Sequence, residues 1–290
     1  MSTERRSRPR APAGPDVKLL ALRTAFRTVG TVAPGMAARW AAELFCRPPR
    51  QLRRPAEEAF LATGRAFSVG WTGAQLQCWT WGEGPLVILA HGWGSRAGRW
   101  STLAPALLER GYRVVTYDAP AHGTSPGRIA SLPEFAQALR SVADASGPVH
   151  AVIGHSLGGA AAVIALSRGL TAERAVLIAP PADPETFAGR FAQTLAIPDA
   201  VRTRMERNLE ARLRFHWRDL HIPTLASALA TPALIIHDSE DHDIVAADGE
   251  AIARAWPRAR LLLTSGLGHR AIIRDPAVVA AAADFLGAAP

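Results

Sequence analysis

Cysteine is scarce in this chain of 290 residues, and a long apolar segment is absent from it. The two cysteines, Cys46 and Cys78, form neither a metal-ligand spacing nor a disulfide framework. A membrane-spanning helix needs about 18 or more consecutive apolar residues, and no such run occurs. We therefore expect a cytoplasmic protein without a membrane span, in which both thiols are reduced and partly buried.

Lysine is also nearly missing, and the charge is unevenly distributed. Of the 33 basic residues all but Lys18 are arginine. Residues 1–54 hold 12 of the basic residues and 3 of the acidic ones, whereas residues 55–290 hold 21 and 22. A nucleic-acid-binding body would carry its own basic face, so we expect no nucleic-acid partner. We interpret residues 1–15 as a solvated, disordered tail, with a targeting peptide as the alternative.

Apolar periodicity divides the chain into two regions. Residues 1–60 form the basic tail and a helical extension, with helices predicted over 17–29 and 36–46. Within residues 61–290, a hairpin that turns at Thr72–Gly73 precedes alternating strands and helices. The strands are predicted at 85–91, 112–118, 148–154, 174–180, 233–238 and 260–265, and the helices at 101–110, 132–144, 157–168, 246–255 and 276–286. Continuous apolar strands separated by helices indicate an α/β fold whose mostly parallel central sheet is covered on both faces.

Residues 182–231 interrupt this alternation, because their patterns are helical with no strand between them. An insertion after the carboxyl end of a strand lies above the ligand crevice of a doubly wound sheet. We therefore predict a helical cap over the site; a plain surface excursion is the alternative. The five arginines of DAVRTRMERNLEARLRF (199–215) are expected mostly on a solvated face of this segment.

A serine with glycines on both sides follows one of the predicted buried strands. In the stretch AVIGHSLGG (151–159), Gly154, Ser156 and Gly158 form the pattern G-x-S-x-G between a strand and a helix. A sharp turn there forces strained backbone at the serine and requires small neighbours. Strain of this kind is typical of an exposed hydroxyl that is aimed at a substrate. We predict Ser156 as a nucleophile.

A serine nucleophile needs a base, and the base needs a group that orients it. His269 is the predicted base, because it follows the last strand after a short Gly-rich loop. His155, His216, His221, His237 and His242 are less suitably placed. The orienting acid should follow the preceding strand, where ALIIHDSEDHDIV (233–245) offers four carboxylates. We choose Asp241, and we expect Asp238, Glu240 and Asp243 to be solvated loop residues.

Two backbone N–H groups are candidates for an oxyanion hole, which stabilises the tetrahedral intermediate of ester hydrolysis. The N–H of Leu157 begins the helix after the serine and benefits from the helix dipole. The second donor should come from HGWGSRAGRW (91–100), where glycines allow a close backbone approach. We assign it to the N–H of Trp93, whose indole could also form a wall of the substrate pocket.

Five motifs together resemble the α/β-hydrolase family: HGWG (91–94), YDAPAHGTS (117–125), GHSLGG (154–159), HDSED (237–241) and GLGHR (266–270). They stand in that family's order, with serine first, acid second and histidine third, and the resemblance covers about residues 67–290. It implies the α/β-hydrolase fold and a Ser–Asp–His triad. It also implies structural roles for Asp118 and His122. Serine at position 156 differs from the dehalogenase and epoxide-hydrolase branches, which carry aspartate there.

The leading hypothesis is a serine hydrolase that cleaves carboxylic esters of small molecules and needs no metal or organic cofactor. The same triad acting on a thioester, a lactone or a carbon–carbon bond is an alternative, since a fold does not determine a function. A ligand-binding protein with little turnover is a third hypothesis. Polar or basic side chains facing the site would favour a thioester or carbon–carbon substrate.

Overall fold

An eight-stranded sheet forms the centre of the computed structural model, which describes residues 17–287. The strand order is β1-β2-β4-β3-β5-β6-β7-β8. The pairs from β4 to β8 are parallel, whereas β2 runs antiparallel to both β1 and β4. The strands are β1 Arg65–Trp71, β2 Ala74–Trp81, β3 Leu86–Ala90, β4 Arg113–Tyr117, β5 Val149–His155, β6 Ala172–Ile178, β7 Ala233–Asp238 and β8 Ala259–Thr264. The predicted α/β architecture with a mostly parallel sheet is confirmed.

Helices cover both faces of this sheet, which explains the continuous apolar strands. All five residues of β3 are buried. Ile88 and Ala90 belong to the hydrophobic cluster on one face, whereas Val87 and Leu89 belong to the cluster on the other. The helices are α1 Val17–Val32, α2 Pro34–Phe45, α3 Pro55–Ala62, α4 Leu103–Leu108, α5 Leu132–Ser146, α6 Leu157–Ser167, α7 Glu185–Thr194, α8 Asp199–Leu213, α9 Ile222–Ala226, α10 Ala246–Ala255, α11 Gly268–Ala271 and α12 Pro276–Gly287. None of these helices, within residues 17–287, is long and apolar enough to cross a bilayer.

The N-terminal extension packs on the rest of the molecule through its two predicted helices. Phe26 of α1 stacks on Trp40 of α2 with ring centroids 4.2 Å apart, and α2 packs along α8. The helix α3 was not predicted, although Pro55 at its first position and a bond from the Arg54 N–H to the Glu57 carboxylate, 3.2 Å long, begin it. The tail predicted at residues 1–15 lies outside the described residues.

The helical insertion at residues 182–231 contains α7, α8 and α9 between β6 and β7, with no strand among its described residues. Its helices are therefore confirmed. Val201, Met205 and Leu209 form the buried face of α8. Arg204, Arg207, Arg212 and Arg214 are exposed and Arg202 is half-buried, in agreement with a mostly solvated arginine face.

Candidate active site

The turn between β5 and α6 holds Ser156 in a strained conformation. Its φ of 54° and ψ of −126° are unfavourable for a residue with a side chain. The strain is held by packing and by a hydrogen bond from the Ser156 N–H to the Ile178 carbonyl, 2.9 Å long. A Cβ at Gly158 would collide with the carbonyl oxygens of Ala90 and His91. The absence of a side chain there lets α6 begin directly against the end of β3.

His269 lies within hydrogen-bond reach of this serine. Its Nε2 is 3.0 Å from the Ser156 Oγ, and its side chain is 12% exposed. The ring belongs to the short helix α11, whose position is held in part by His155, since the Nε2–H of that residue donates to the His269 carbonyl at 2.9 Å. Burial and the neighbouring His269 lower the pKa of His155 to about 3, so this ring stays neutral and keeps one donor.

Asp241 contacts the other nitrogen of the same imidazole. Its Oδ2 lies 2.7 Å from His269 Nδ1, while its Oδ1 accepts the backbone N–H groups of Asp243 and Ile244, both at 2.9 Å. Burial alone would raise the pKa of Asp241. The nearby His237 ring, whose Nε2 lies 3.6 Å from Oδ2, and the hydrogen bonds from His269 and the Ile244 N–H outweigh burial and hold that pKa well below its usual range. The carboxylate therefore stays ionised and fixes a proton on His269 Nδ1.

The neighbouring carboxylates differ in their surroundings. Asp238 is fully buried, so its assignment as a solvated residue is wrong. It accepts hydrogen bonds from Thr264 Oγ1 at 2.7 Å and from the Gly268 N–H at 3.0 Å. These bonds outweigh burial and lower its pKa. Asp238 thus holds the loop that carries His269. Glu240 and Asp243 are exposed, as predicted.

The two N–H groups assigned to an oxyanion hole lie on segments that approach Ser156. A Cβ at Gly92 would come within 2.8 Å of the Ser156 Cβ, so the loop after β3 passes directly beside the serine. Among the residues described, the N–H groups of Trp93 and Leu157 donate no hydrogen bond within the protein. Both are therefore available to an oxygen bound near Ser156.

Two buried histidines hold the loop after β3. The Nδ1–H of His91 donates to the Gly92 carbonyl at 2.8 Å, and its Nε2 accepts the Ala119 N–H at 3.0 Å. His122 accepts the Gly94 N–H at 2.9 Å. Burial lowers the pKa of His91, and burial together with His91 lowers the pKa of His122 to about 3. Both rings are neutral, which their function as acceptors requires.

Two ion pairs connect the N-terminal extension to the loops after β3 and β4, and neither was predicted from the sequence. Arg53 binds the fully buried Asp118 at 2.7 Å, and Asp118 in turn accepts the Ala97 N–H at 2.8 Å. Glu57 binds Arg96 at 2.6 Å, and both side chains are at most 5% exposed. Neither cation lies near its acid in sequence. The sequence carries no local signal of either pair.

An apolar cavity of about 370 Å³ opens beside Ser156. The loops at the strand ends, the helical insertion and the end of α2 supply its walls. Its lining residues include Phe45, Cys46, Trp93, Leu132, Ser156, Leu157, Pro184, Phe187, Arg190, Phe191, Leu209, Leu213, Phe215, Trp217 and Ile244. Arg190 is the one charged side chain in the full lining, and its Nη1 donates to the Asp243 carbonyl at 2.7 Å.

A mostly parallel eight-stranded sheet, with a serine at a strained strand–helix turn and a histidine after the last strand, defines the α/β-hydrolase class. The chain belongs to the alpha/beta hydrolase family, since that family's model matches residues 87–282.

Curated relatives and solved structures are also similar to this chain. A pimeloyl-[acyl-carrier protein] methyl ester esterase from Nitrosomonas europaea is 27% identical over 244 residues, covering 70% of this chain and 96% of its own length. A Variovorax paradoxus protein provisionally named carbamate hydrolase RutD is 31% identical over 209 residues, covering 70% and 74%. The esterase Pf2001 of Pyrococcus furiosus has a similar fold, with a TM-score of 0.65, 19% identity, and coverage of 83% of this chain and 98% of its own.

Proposed function

We propose that the protein is a serine hydrolase that cleaves carboxylic esters through an acyl-enzyme intermediate. The observation that carries this proposal is the continuous hydrogen-bonded series from Ser156 Oγ to His269 Nε2, at 3.0 Å, and from His269 Nδ1 to Asp241 Oδ2, at 2.7 Å. A nucleophile, a base and an orienting acid at these distances satisfy the geometry that serine catalysis requires.

The proposed reaction has two halves. Ser156 Oγ attacks the acyl carbon while its proton passes to His269 Nε2, and the imidazolium then protonates the departing alcohol. A water molecule next attacks the acyl-enzyme, giving its proton to the same nitrogen. When the bond to Ser156 breaks, His269 returns that proton to the serine and the carboxylic acid leaves. The ionised Asp241 stabilises the imidazolium in both halves.

The N–H groups of Trp93 and Leu157 are proposed to stabilise the oxyanion in each half. Leu157 lies at the N-terminus of α6, where the helix dipole favours negative charge. One such donor contributes roughly 3 kcal/mol to the transition state. Because His91 and His122 hold the loop of Trp93 through neutral rings, the Trp93 donor is already oriented before substrate binds.

The cavity favours an apolar ester over a thioester or a carbon–carbon bond. Polar or basic side chains facing the site would favour a thioester or a carbon–carbon substrate. Instead the walls are apolar, and Arg190 is tied to the carbonyl of Asp243. The relative named as a methyl ester esterase points to the same bond type. We interpret the helical insertion as the cap of this site, since it supplies most of the aromatic wall.

The test replaces the proposed nucleophile. We expect Ser156→Ala to lower kcat for p-nitrophenyl butyrate by about 10⁴-fold or more, and to abolish labelling by a fluorophosphonate probe. Ser227→Ala, an exposed serine on the helical insertion, is the matched control and should behave as the unchanged protein. Retained ester turnover in Ser156→Ala would contradict the proposal. An unchanged protein that fails to label would instead favour a binding protein with little turnover.

A further inference from the structure

The end of α2 forms part of the substrate cavity although it lies outside the segment matched by the family model. Phe45 and Cys46 line the cavity that also contains Ser156, whereas the family model begins at residue 87. Burial and the nearby Glu134 raise the pKa of the Cys46 thiol to about 12, so it is neutral there. The wall supplied by α2 is therefore apolar.

Phe45 is integrated into the aromatic wall of the cavity. Its ring packs edge-on against Phe191, with centroids 5.3 Å apart, and against Trp217 at 6.4 Å. Edge-to-face packing at these distances stabilises a fixed arrangement of rings. Phe191 and Trp217 belong to the helical insertion, so this wall joins two parts of the chain that are far apart in sequence.

Several contacts fix the position of α2 relative to the cavity. Its buried alanines, Ala37, Ala38, Ala41 and Ala42, belong to the same hydrophobic cluster as the buried residues of α8, along which α2 packs. Arg23 of α1 donates to the Thr194 carbonyl at the end of α7 at 2.9 Å. The Cys46 carbonyl accepts the Ala130 N–H at 2.8 Å. The end of α2 is thus held by both the helical insertion and the main body.

We propose that Phe45 is a specificity-determining residue that limits the size of the apolar group accepted beside Ser156. This inference deepens the proposed ester hydrolysis and rests on it for the kind of substrate. The group is an unbranched hydrocarbon chain, carried either on the acyl side or on the alcohol side of the ester. Because Phe191 and Trp217 pack against the half-buried Phe45 ring, the ring has little room to move and excludes a chain that is too long for the cavity.

The test makes the side chain at position 45 smaller in one variant and larger in another. Phe45→Ala enlarges the cavity and Phe45→Trp reduces it, so the preferred chain should lengthen in the first and shorten in the second. Since each additional buried methylene group contributes about fourfold in affinity, we expect the ratio of kcat/KM for long and short chains to change by about tenfold. Leu44→Ala is the matched control, because Leu44 is a partly buried neighbour on α2 that does not line the cavity.

Two substrate series identify which side of the ester is measured. p-Nitrophenyl esters from acetate to dodecanoate vary the acyl chain, and alkyl acetates from ethyl to dodecyl vary the alcohol. A shift of preference in either series with both Phe45 variants, and none with Leu44→Ala, supports the proposal. Unchanged chain-length ratios in both series for Phe45→Trp would overturn it, even if Phe45→Ala failed to fold.

A binding measurement separates this inference from the proposed reaction. In the Ser156→Ala background, calorimetry with 2-alkanones of increasing length reports chain preference without turnover. Phe45→Trp should move the tightest-binding ketone to a shorter chain, and Phe45→Ala to a longer one. That result supports the inference even if Ser156→Ala retains ester turnover and the proposed reaction is wrong. Identical ketone preferences in all variants would overturn the inference alone.

Discussion

The loops at the carboxyl ends of the strands and the N-terminal extension both border the cavity beside Ser156, yet their sequences indicate this to very different degrees. The loops present hydroxyl, imidazole and carboxylate groups whose chemistry permits few replacements. The extension contributes Phe45 to the wall, and Arg53 and Glu57 to the support of the loop after β3. These contributions depend on packing and charge pairing, which many residue combinations can provide. Sequence motifs therefore predict the part of the cavity wall that the loops supply, but not the part that the extension supplies.

Among the loops at the strand ends, replacement of Asp241 should have the greatest consequence for catalysis. Asp241→Asn should lower kcat by about 10⁴-fold. The amide oxygen can still accept the N–H groups of Asp243 and Ile244, but the amide nitrogen would face His269 Nδ1. The imidazole would then carry its proton on Nε2, where it cannot accept the proton of Ser156. Steady-state assays of p-nitrophenyl butyrate measure this loss.

The control for that substitution is Asp243→Asn, which changes an exposed carboxylate two residues away. We expect its kcat to stay within about twofold, because exposed charges interact weakly through solvent. A loss of similar size in both variants would mean that the acidic loop acts through its total charge, and that Asp241 has no particular role in orienting His269.

On the side of the extension, Glu57→Gln should destabilise the fold without removing any proposed reacting group. The guanidinium of Arg96 would remain buried with no countercharge, which typically costs about 3–5 kcal/mol. The free energy of unfolding in urea measures this. Because His91 and His122 still hold the loop after β3, the protein that remains folded should keep most of its kcat.

Glu58→Gln is the matched control on the same helix, and it should change the free energy of unfolding by no more than about 0.5 kcal/mol, as for other exposed sites. Replacing the buried pair together, by Glu57→Leu with Arg96→Met, should recover much of the stability lost in Glu57→Gln. If the double variant were as unstable as Glu57→Gln, the contact between α3 and the loop after β3 would depend on the packing of these side chains and not on their charges.

Mild acid should reduce the stability that the loops contribute, because these loops contain buried histidines. The extension should be less sensitive, since residues 1–60 contain no histidine. His122 and His155 have folded pKa values of about 3, below the value near 6.5 of an unfolded histidine. The unfolded chain therefore binds more protons between these values. The stability that the neutral rings contribute is fully present above about pH 6.5 and is lost towards pH 3, by up to about 1.4 kcal/mol per pH unit for each ring.

Urea unfolding at a series of pH values from 7 to 4 tests this slope. His122→Gln should reduce the slope by about one proton's contribution, because one depressed group is removed. His242→Gln, at an exposed loop position, should leave it unchanged. A slope identical in all three proteins would place the acid-sensitive groups elsewhere in the chain.

The strands of the sheet can be predicted from local sequence patterns, whereas the contacts across the cavity cannot. β7 lies at 233–238 as predicted, and β3 and β5 lie within one residue of their predicted bounds, because buried strands need continuous apolar runs. Asp241 and His269 stand in motifs whose spacing indicates their neighbours, and the structure brings them together at 2.7 Å. Their catalytic roles remain predictions.

The misses have a common physical origin. The buried carboxylate of Asp238 is satisfied by the Thr264 hydroxyl, 26 residues later, and by the Gly268 N–H, 30 residues later. Arg53 and Phe45 find their partners 65 and more than 140 residues away. No local periodicity indicates such pairs, because they are determined by how complete elements pack in three dimensions.

The hairpin formed by β1 and β2 offers a modest gain in stability. Thr72 and Gly73 form its predicted two-residue turn, with φ values of 41° and 77°. Positive φ at both positions suits Asn-Gly, whereas a β-branched residue is strained there. Thr72→Asn should therefore stabilise the fold by about 0.5–1 kcal/mol, with Thr72→Ala giving less because alanine removes the branch without favouring the left-handed region. Since neither turn residue lines the cavity, kcat should not change. A stabilised variant with altered turnover would show that the conformation of this turn influences the site through the sheet.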